Sequence, residues 1–158
     1  FAIICVDPDV PSSGEDVNQA GKTVPADLPR VRFYHWLLVD IPTSTSELAE
    51  GAGGSGVTPR GKDTGKTEHG LTGKNDYTGW FAGDADMEGV YGDYDGPCPP
   101  WNDSIKHHYH FEVYAVSEES LGLSGDFSGD DVVAALEGKT LAKTTFVGTY
   151  SMNPAVPA

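Results

Sequence analysis

Asp7, His35, His107 and Tyr109 are the residues in this chain best suited to holding a small anion. An imidazolium and a phenol donate hydrogen bonds, while an aspartate beside an imidazole fixes its tautomer and raises its pKa. Asp7 follows the first apolar run, His35 lies inside the second, and His107 and Tyr109 open the third. Just upstream of the third run stands Gly96-Pro97-Cys98-Pro99-Pro100. Its prolines fix φ and remove backbone donors, so this loop is stiff and excluded from a sheet. A stiff loop feeding a strand that begins with histidine and tyrosine can floor a small pocket.

The elements that must position these groups are mostly strands. Phe1–Val6 is continuously apolar, as expected of a strand buried on both faces, and the two X-Pro steps of Asp7-Pro8-Asp9-Val10-Pro11 are expected to end it. Ser12–Arg30 reads as a polar loop. Val31–Ile41 is the second strand, with Val31, Phe33, His35, Leu37 and Val39 predicted on one face and Tyr34, Trp36 and Leu38 on the other. Gly51–Ser104 holds 13 of the 20 glycines and shows little periodicity, so it reads as a long functional loop. From His107 to Val116 alternation returns, with His107, Tyr109 and Phe111 sharing a face. Ser128–Glu137 is the one convincing helix, with Ser128 as cap, Asp130 and Asp131 in its first turn and Gly138 as its stop. Thr140–Tyr150 is a last strand. The expected fold is mainly β, a single domain over residues 1–158 with antiparallel strands and a peripheral α-helix.

The chain has 158 residues and a formal charge of −14, from 24 acidic and 10 basic residues. Such a surface repels phosphate backbones and anionic headgroups, which argues against nucleic acid and flat membrane partners. No stretch reaches the 18 apolar residues of a membrane span. The first residue lies in the middle of an apolar run, so further strands are expected before Phe1, and a signal peptide would be out of view. A cytoplasmic location is favoured over a periplasmic one. Trp80, Phe81 and Trp101 are candidates for a homodimer patch or a cover over the pocket.

Other motifs weigh less. Gly61-Lys-Asp-Thr-Gly65-Lys66-Thr67 has one residue too few between its glycines for a phosphate-binding loop, and no strand precedes it. Asp84, Asp86, Glu88 and Asp95 match the first, third, fifth and twelfth positions of a calcium loop, with Gly89 at the sixth, but helices do not flank them. Cys98 with His107 offers a thiol and a base, though no helix N-terminus precedes the thiol to activate it. A disulfide between Cys5 and Cys98 requires the loop to fold over the first strand. His108 and His110 could chelate a metal, but a third ligand is not evident. Asn102-Asp103-Ser104 is a formal glycosylation sequon, and a serine-hydrolase elbow is lacking.

Taken together, Asp7-Pro-Asp-Val-Pro11, His35 in Tyr-His-Trp-Leu-Leu-Val, Gly96-Pro-Cys-Pro-Pro100 and His107-His-Tyr-His-Phe111 resemble the phosphatidylethanolamine-binding protein family. The Gly-Pro-Cys-Pro-Pro form looks like its bacterial Raf-kinase-inhibitor-like branch. The likeness extends through Asn75-Asp-Tyr77, the late helix and Gly148-Thr-Tyr150. It implies a β-sandwich with a large antiparallel sheet and peripheral helices, and a pocket for phosphate-type anions or phosphorylated headgroups. By resemblance, Asp7, His35, Gly96, Pro99, Pro100, His107 and Tyr109 line that pocket, with Pro11 and Phe33 nearby and Cys98 in its loop. Ser12–Arg30 and Gly51–Asp95 are longer than in the compact bacterial members.

The leading function is a non-catalytic binding protein for a small phosphorylated or other anionic ligand, with no cofactor. One alternative is an inhibitor of a protease or kinase that meets a protein partner through surface loops. Another is a hydrolase that activates water with Asp7 and His35 or His107.

Overall fold

The computed structural model describes residues 1–54 and 56–157. Along the chain come β1 (Ala2–Pro11), β2 (Arg30–Val39), β3 (Gly61–Lys62), β4 (Gly65–Lys66), β5 (Leu71–Thr72), α1 (Tyr77–Trp80), β6 (Val90–Tyr91), β7 (His107–Val116), α2 (Gly129–Leu136) and β8 (Thr140–Tyr150). Six strands form one antiparallel sheet in the order β4-β5-β2-β1-β7-β8, and β3 and β6 make a separate parallel pair. The fold is thus mainly β around a large antiparallel sheet, as expected. β1 lies between β2 and β7, which explains why its first residues are apolar on both faces.

Two irregularities correct the sequence reading and shape the site. β1 does not stop at Asp7 but runs on to Pro11. Asp7 pairs with Phe33 and Val10 with Val31, so β1 carries one surplus residue across Pro8-Asp9. Pro8 has no N–H to give a ladder, and a bulge is where a strand can accommodate it. In β2, Cys5 pairs with Trp36 and Val6 with Tyr34, which leaves His35 as the surplus residue. Strict alternation therefore fails at His35. Phe33 and His35 reach the pocket and Trp36 and Leu38 the core on that same side, while Tyr34, Leu37 and Val39 join the core on the opposite face.

On that opposite face, Ala2, Ile4 and Val6 of β1 pack with Leu37 and Val39 beneath Val132 and Leu136 of α2. α2 begins where the sequence predicts. The Ser128 hydroxyl accepts from the Asp131 N–H, and the Asp131 carboxylate accepts from the Ser128 N–H. On the pocket face, Cys5, Trp36, Leu38 and Tyr109 form one cluster, and Phe33, Tyr77 and Tyr91 form another beneath the long central segment. That segment contains α1 and four two-residue strands, all too short to produce a periodic pattern.

The polar segment after β1 is ordered by Asn102. Its Oδ1 accepts from the Asn18 N–H at 2.9 Å, and its Nδ2 donates to the Asp16 carbonyl at 2.8 Å. Asn102 is buried by these bonds, so the sequon does not present its side chain. At the far edge, β8 pairs with β7 alone and leaves Leu141, Phe146, Val147 and Tyr150 exposed. Among the described residues, no helix is long and apolar enough to cross a membrane.

Candidate functional site

The three central strands bring Asp7, His35, His107 and Tyr109 to one place, at the bottom of a cavity of about 130 Å³. β1 supplies Asp7, the bulge in β2 turns His35 inward, and the first and third residues of β7 are His107 and Tyr109. Pro11, Phe33, Cys98, Pro99 and Pro100 line the walls. Gly96 turns the chain with φ of 79° and brings its backbone beside the His35 ring, behind the cavity wall.

The polar groups divide into a bonded set and an unbonded one. In the bonded set, His107 bridges two carboxylates. Its Nδ1 lies 2.6 Å from Asp7 Oδ2 and its Nε2 lies 3.1 Å from Asp103 Oδ2. Ionised carboxylates only accept, so with Asp7 and Asp103 both ionised the two ring nitrogens donate and the arrangement favours the imidazolium form. Burial alone would discharge this ring, but hydrogen bonds and charge from Asp7 and Asp103 outweigh it and raise its pKa. Asp103 in turn receives a two-pronged Arg30, with Nη1 at 2.6 Å from Oδ2 and Nη2 at 3.0 Å from Oδ1. Burial would raise the Asp103 pKa, and the bonds from Arg30 and His107 reverse that, holding it below the ordinary carboxylate range. Asp7 Oδ1 accepts from the Asp9 N–H at 2.8 Å.

The unbonded set faces the cavity. Both ring nitrogens of His35 and the hydroxyls of Tyr77 and Tyr109 are buried without a well-formed hydrogen bond to the protein, His35 approaching the Gly96 backbone and Tyr109 approaching Asp7 only loosely. His35 is 3% exposed and Tyr109 2%. The His35 Nε2 stands 3.9 Å from Asp7 Oδ2, beyond hydrogen-bonding distance. Burial, reinforced by the His107 charge and partly opposed by Asp7 and the Gly96 backbone, lowers the His35 pKa to about 4. Burial likewise pushes the Tyr77 and Tyr109 phenols up, with Asp7 adding to it, so both stay protonated donors.

His107 lines the cavity and also bridges Asp7 and Asp103. It holds the site together, and its two donors are already used. Tyr77, Arg30 and Asp103 escaped the sequence reading, although Asp103 stands four residues before His107 and Arg30 opens β2. Val10, Val17, Asn18, Trp80 and Phe81 complete the mouth, so Trp80 and Phe81 lie at the pocket, while Trp101 is exposed outside it.

The remaining motifs come apart. Cys5 and Cys98 are both free thiols, and burial raises the pKa of each. With both His107 nitrogens on carboxylates, Cys98 has no base in that ring. The calcium reading of residues 84–95 is not sustained. Asp95 is buried against Lys62 at 3.0 Å and Asn75 at 2.7 Å, whereas Asp84 accepts from the Asp86 and Met87 N–H groups in a turn. Among the described residues, no three His, Cys, Asp or Glu side chains gather as metal ligands. His108 instead bonds Asp9 at 2.8 Å.

A family model described as phosphatidylethanolamine-binding protein matches residues 1–151. The chain is 36% identical over 124 residues to a UPF0098 protein of Aquifex aeolicus, covering 78% of this chain and 60% of that one. It is 34% identical to the UPF0098 protein PH1269 of Pyrococcus horikoshii, again over 78% of this chain and 52% of the relative. It thus spans between half and three-fifths of the length of these relatives. Among solved structures, Escherichia coli YbcL, described as a member of the mammalian PEBP family, superposes with a TM-score of 0.58 at 23% identity. The Chlamydia trachomatis homolog CT736 gives 0.61 at 23%, and each comparison covers 95% of this chain and 70% of the other. With the family pattern running from the first strand to the end of β8, and the same fold in both solved structures, the chain belongs to the phosphatidylethanolamine-binding protein family.

Proposed function

We propose that this protein is a non-catalytic binding protein whose pocket takes a phosphate-type anion carried on a small organic group. The observation that carries this reading is the convergence of His35, Tyr77 and Tyr109 on one cavity with their polar atoms unpartnered. Buried polar groups normally have partners, so three orphans at one spot are a site awaiting acceptors. Two phenols and an imidazole N–H offer three donors, which suits the several oxygens of one oxyanion. The walls, formed by Phe33, Trp80, Phe81 and the prolines, suit an apolar or organic substituent at the mouth.

Catalysis fits the geometry less well. A general base must reach the proton it removes, and His107 has no free nitrogen for a water. His35 has no carboxylate within hydrogen-bonding distance to orient it.

The test is an NMR titration of isotopically labelled protein with O-phosphorylethanolamine and with inorganic phosphate at mildly acidic pH. Saturable shifts centred on His35, Tyr77 and Tyr109 are expected. Their absence at high millimolar ligand would sink the reading.

A further inference from the structure

The pocket is deficient in positive charge. Asp7 is faced by Cys5 and Asp9 from its own strand, by His35 from β2, by His107 and Tyr109 from β7, by Tyr77 from α1, and by Cys98 at the rim. Among the described residues, no lysine or arginine lines the cavity. The cationic groups at the site are matched, His107 between Asp7 and Asp103, and Arg30 on Asp103. Asp9 is turned away toward His108. A fully ionised dianion entering this space would meet the Asp7 carboxylate without an unpaired cation to hold it.

The gap between His35 and Asp7 shows how an anion can still fit. At 3.9 Å, Nε2 and Oδ2 are too far apart to bond directly. One oxygen placed between them reaches both at ordinary hydrogen-bond length. Asp7 Oδ2 accepts from His107 and has a second lone pair, and a carboxylate can only accept. The bridging oxygen must therefore carry a proton. A bare oxyanion there would set one negative oxygen against another.

We propose, building on the anion-binding reading above, that the pocket selects the protonated form of its ligand, a phosphate monoester monoanion whose P–O–H donates to Asp7 and accepts from His35, its other oxygens facing Tyr77 and Tyr109. Asp7 is then the specificity-determining residue. It admits phosphate esters and rejects sulfate esters, which have the same shape and hold no proton near neutral pH.

Calorimetry with phenyl phosphate and phenyl sulfate tests this on the wild-type protein. The Kd for phenyl phosphate is expected to rise about tenfold for each pH unit above roughly 6, where a phosphate monoester loses its second proton. Phenyl sulfate is expected to bind on the order of a hundredfold more weakly than phenyl phosphate below about pH 6, from the unmade bond and the opposed charges, and to show no matching loss of affinity as pH rises. Benzylphosphonate and its α,α-difluorinated analogue differ in their own second pKa, and the pH midpoint of binding should follow the ligand. Equal binding of phosphate and sulfate esters, or a midpoint that stays fixed while the ligand pKa changes, would place the proton on the protein and overturn the proposal while leaving the anion pocket intact. If neither ester binds at any pH, the anion reading fails and the proposal falls with it. Asp7→Asn, which keeps an acceptor and adds a donor, is expected to bring the two esters within a few-fold of each other. Should that variant fail to fold, the wild-type ligand series decides alone.

Discussion

His107 Nδ1 lies 2.6 Å from Asp7 Oδ2, whereas His35 Nε2, in the same pocket, lies 3.9 Å from that oxygen. This difference sends the two histidines in opposite directions. His107 is held charged, and His35 is held neutral with a pKa of about 4.

Stability should therefore peak near the ordinary histidine pKa and fall on both sides. His107 contributes fully below about pH 6.5, and that contribution is lost as pH rises through its raised folded pKa. His35 acts oppositely. Its unfolded form takes up a proton at about pH 6.5 while the folded form resists to about 4, which removes on the order of 3 kcal/mol as pH falls through that window. Asp103, held low, adds a further loss as pH falls below the usual carboxylate range. Urea midpoints measured across pH should show this dome. His35→Gln should flatten its acid limb and His107→Gln its alkaline limb. A stability that climbs steadily from acid to alkaline pH would contradict the assignment of charge.

Arg30 is the anchor of the bonded chain. Its side chain is 12% exposed and Asp103's is 1%, so removing the guanidinium strands a buried carboxylate. Arg30→Ala is expected to cost about 3–5 kcal/mol in chemical denaturation. Arg30→Lys should recover only part of this, since an ammonium cannot bond both carboxylate oxygens in the fork. A loss below 1 kcal/mol in the alanine variant would show that the pair is not structural.

Tyr109→Phe separates binding from folding. The hydroxyl makes no well-formed hydrogen bond to the protein and only a loose approach to Asp7, so deleting it should change stability by less than about 1 kcal/mol. Affinity for O-phosphorylethanolamine should fall on the order of tenfold to a hundredfold, as expected for one bond to a charged oxygen. Unchanged affinity would remove Tyr109 from the ligand shell.

Much of this site was legible in the sequence because strands and stiff loops announce themselves locally. The apolar run before Asp7, the proline loop and the alternation from His107 each specify structure within a few residues, and β7, α2 and β8 lie where the pattern places them. The bulge at His35 was not legible. It depends on pairing with β1, and a local alternation rule assigns Leu37 to the wrong face. Arg30 and Asp103 were missed for a related reason, since their pairing spans 73 positions of sequence. Tyr77 sits in a four-residue helix that no period reveals. Spacing alone gave the acidic loop a calcium reading, and it could not show that Asp95 is taken up by Lys62 and Asn75.

The start of α2 is tied to the pocket through Tyr34. A Cβ at Gly129 would drive into the Tyr34 ring, and the neighbour of Tyr34 in β2 is the bulged His35. The Tyr34 N–H also donates to Asp76 Oδ2 at 2.7 Å, next to Tyr77. Alanine at 129 would gain about 1 kcal/mol of helix propensity. Overpacking against a ring fixed in the core costs about 1–3 kcal/mol, so the net change should be destabilising. Ser128→Ala loses the cap and should cost about 1 kcal/mol, with Tyr34 undisturbed. The two variants should therefore differ in binding more than in stability. Gly129→Ala, by shifting Tyr34, is expected to weaken O-phosphorylethanolamine binding several-fold, and Ser128→Ala to leave it unchanged. Equal affinity in both variants would show that the helix supports the sheet without positioning His35 or Tyr77.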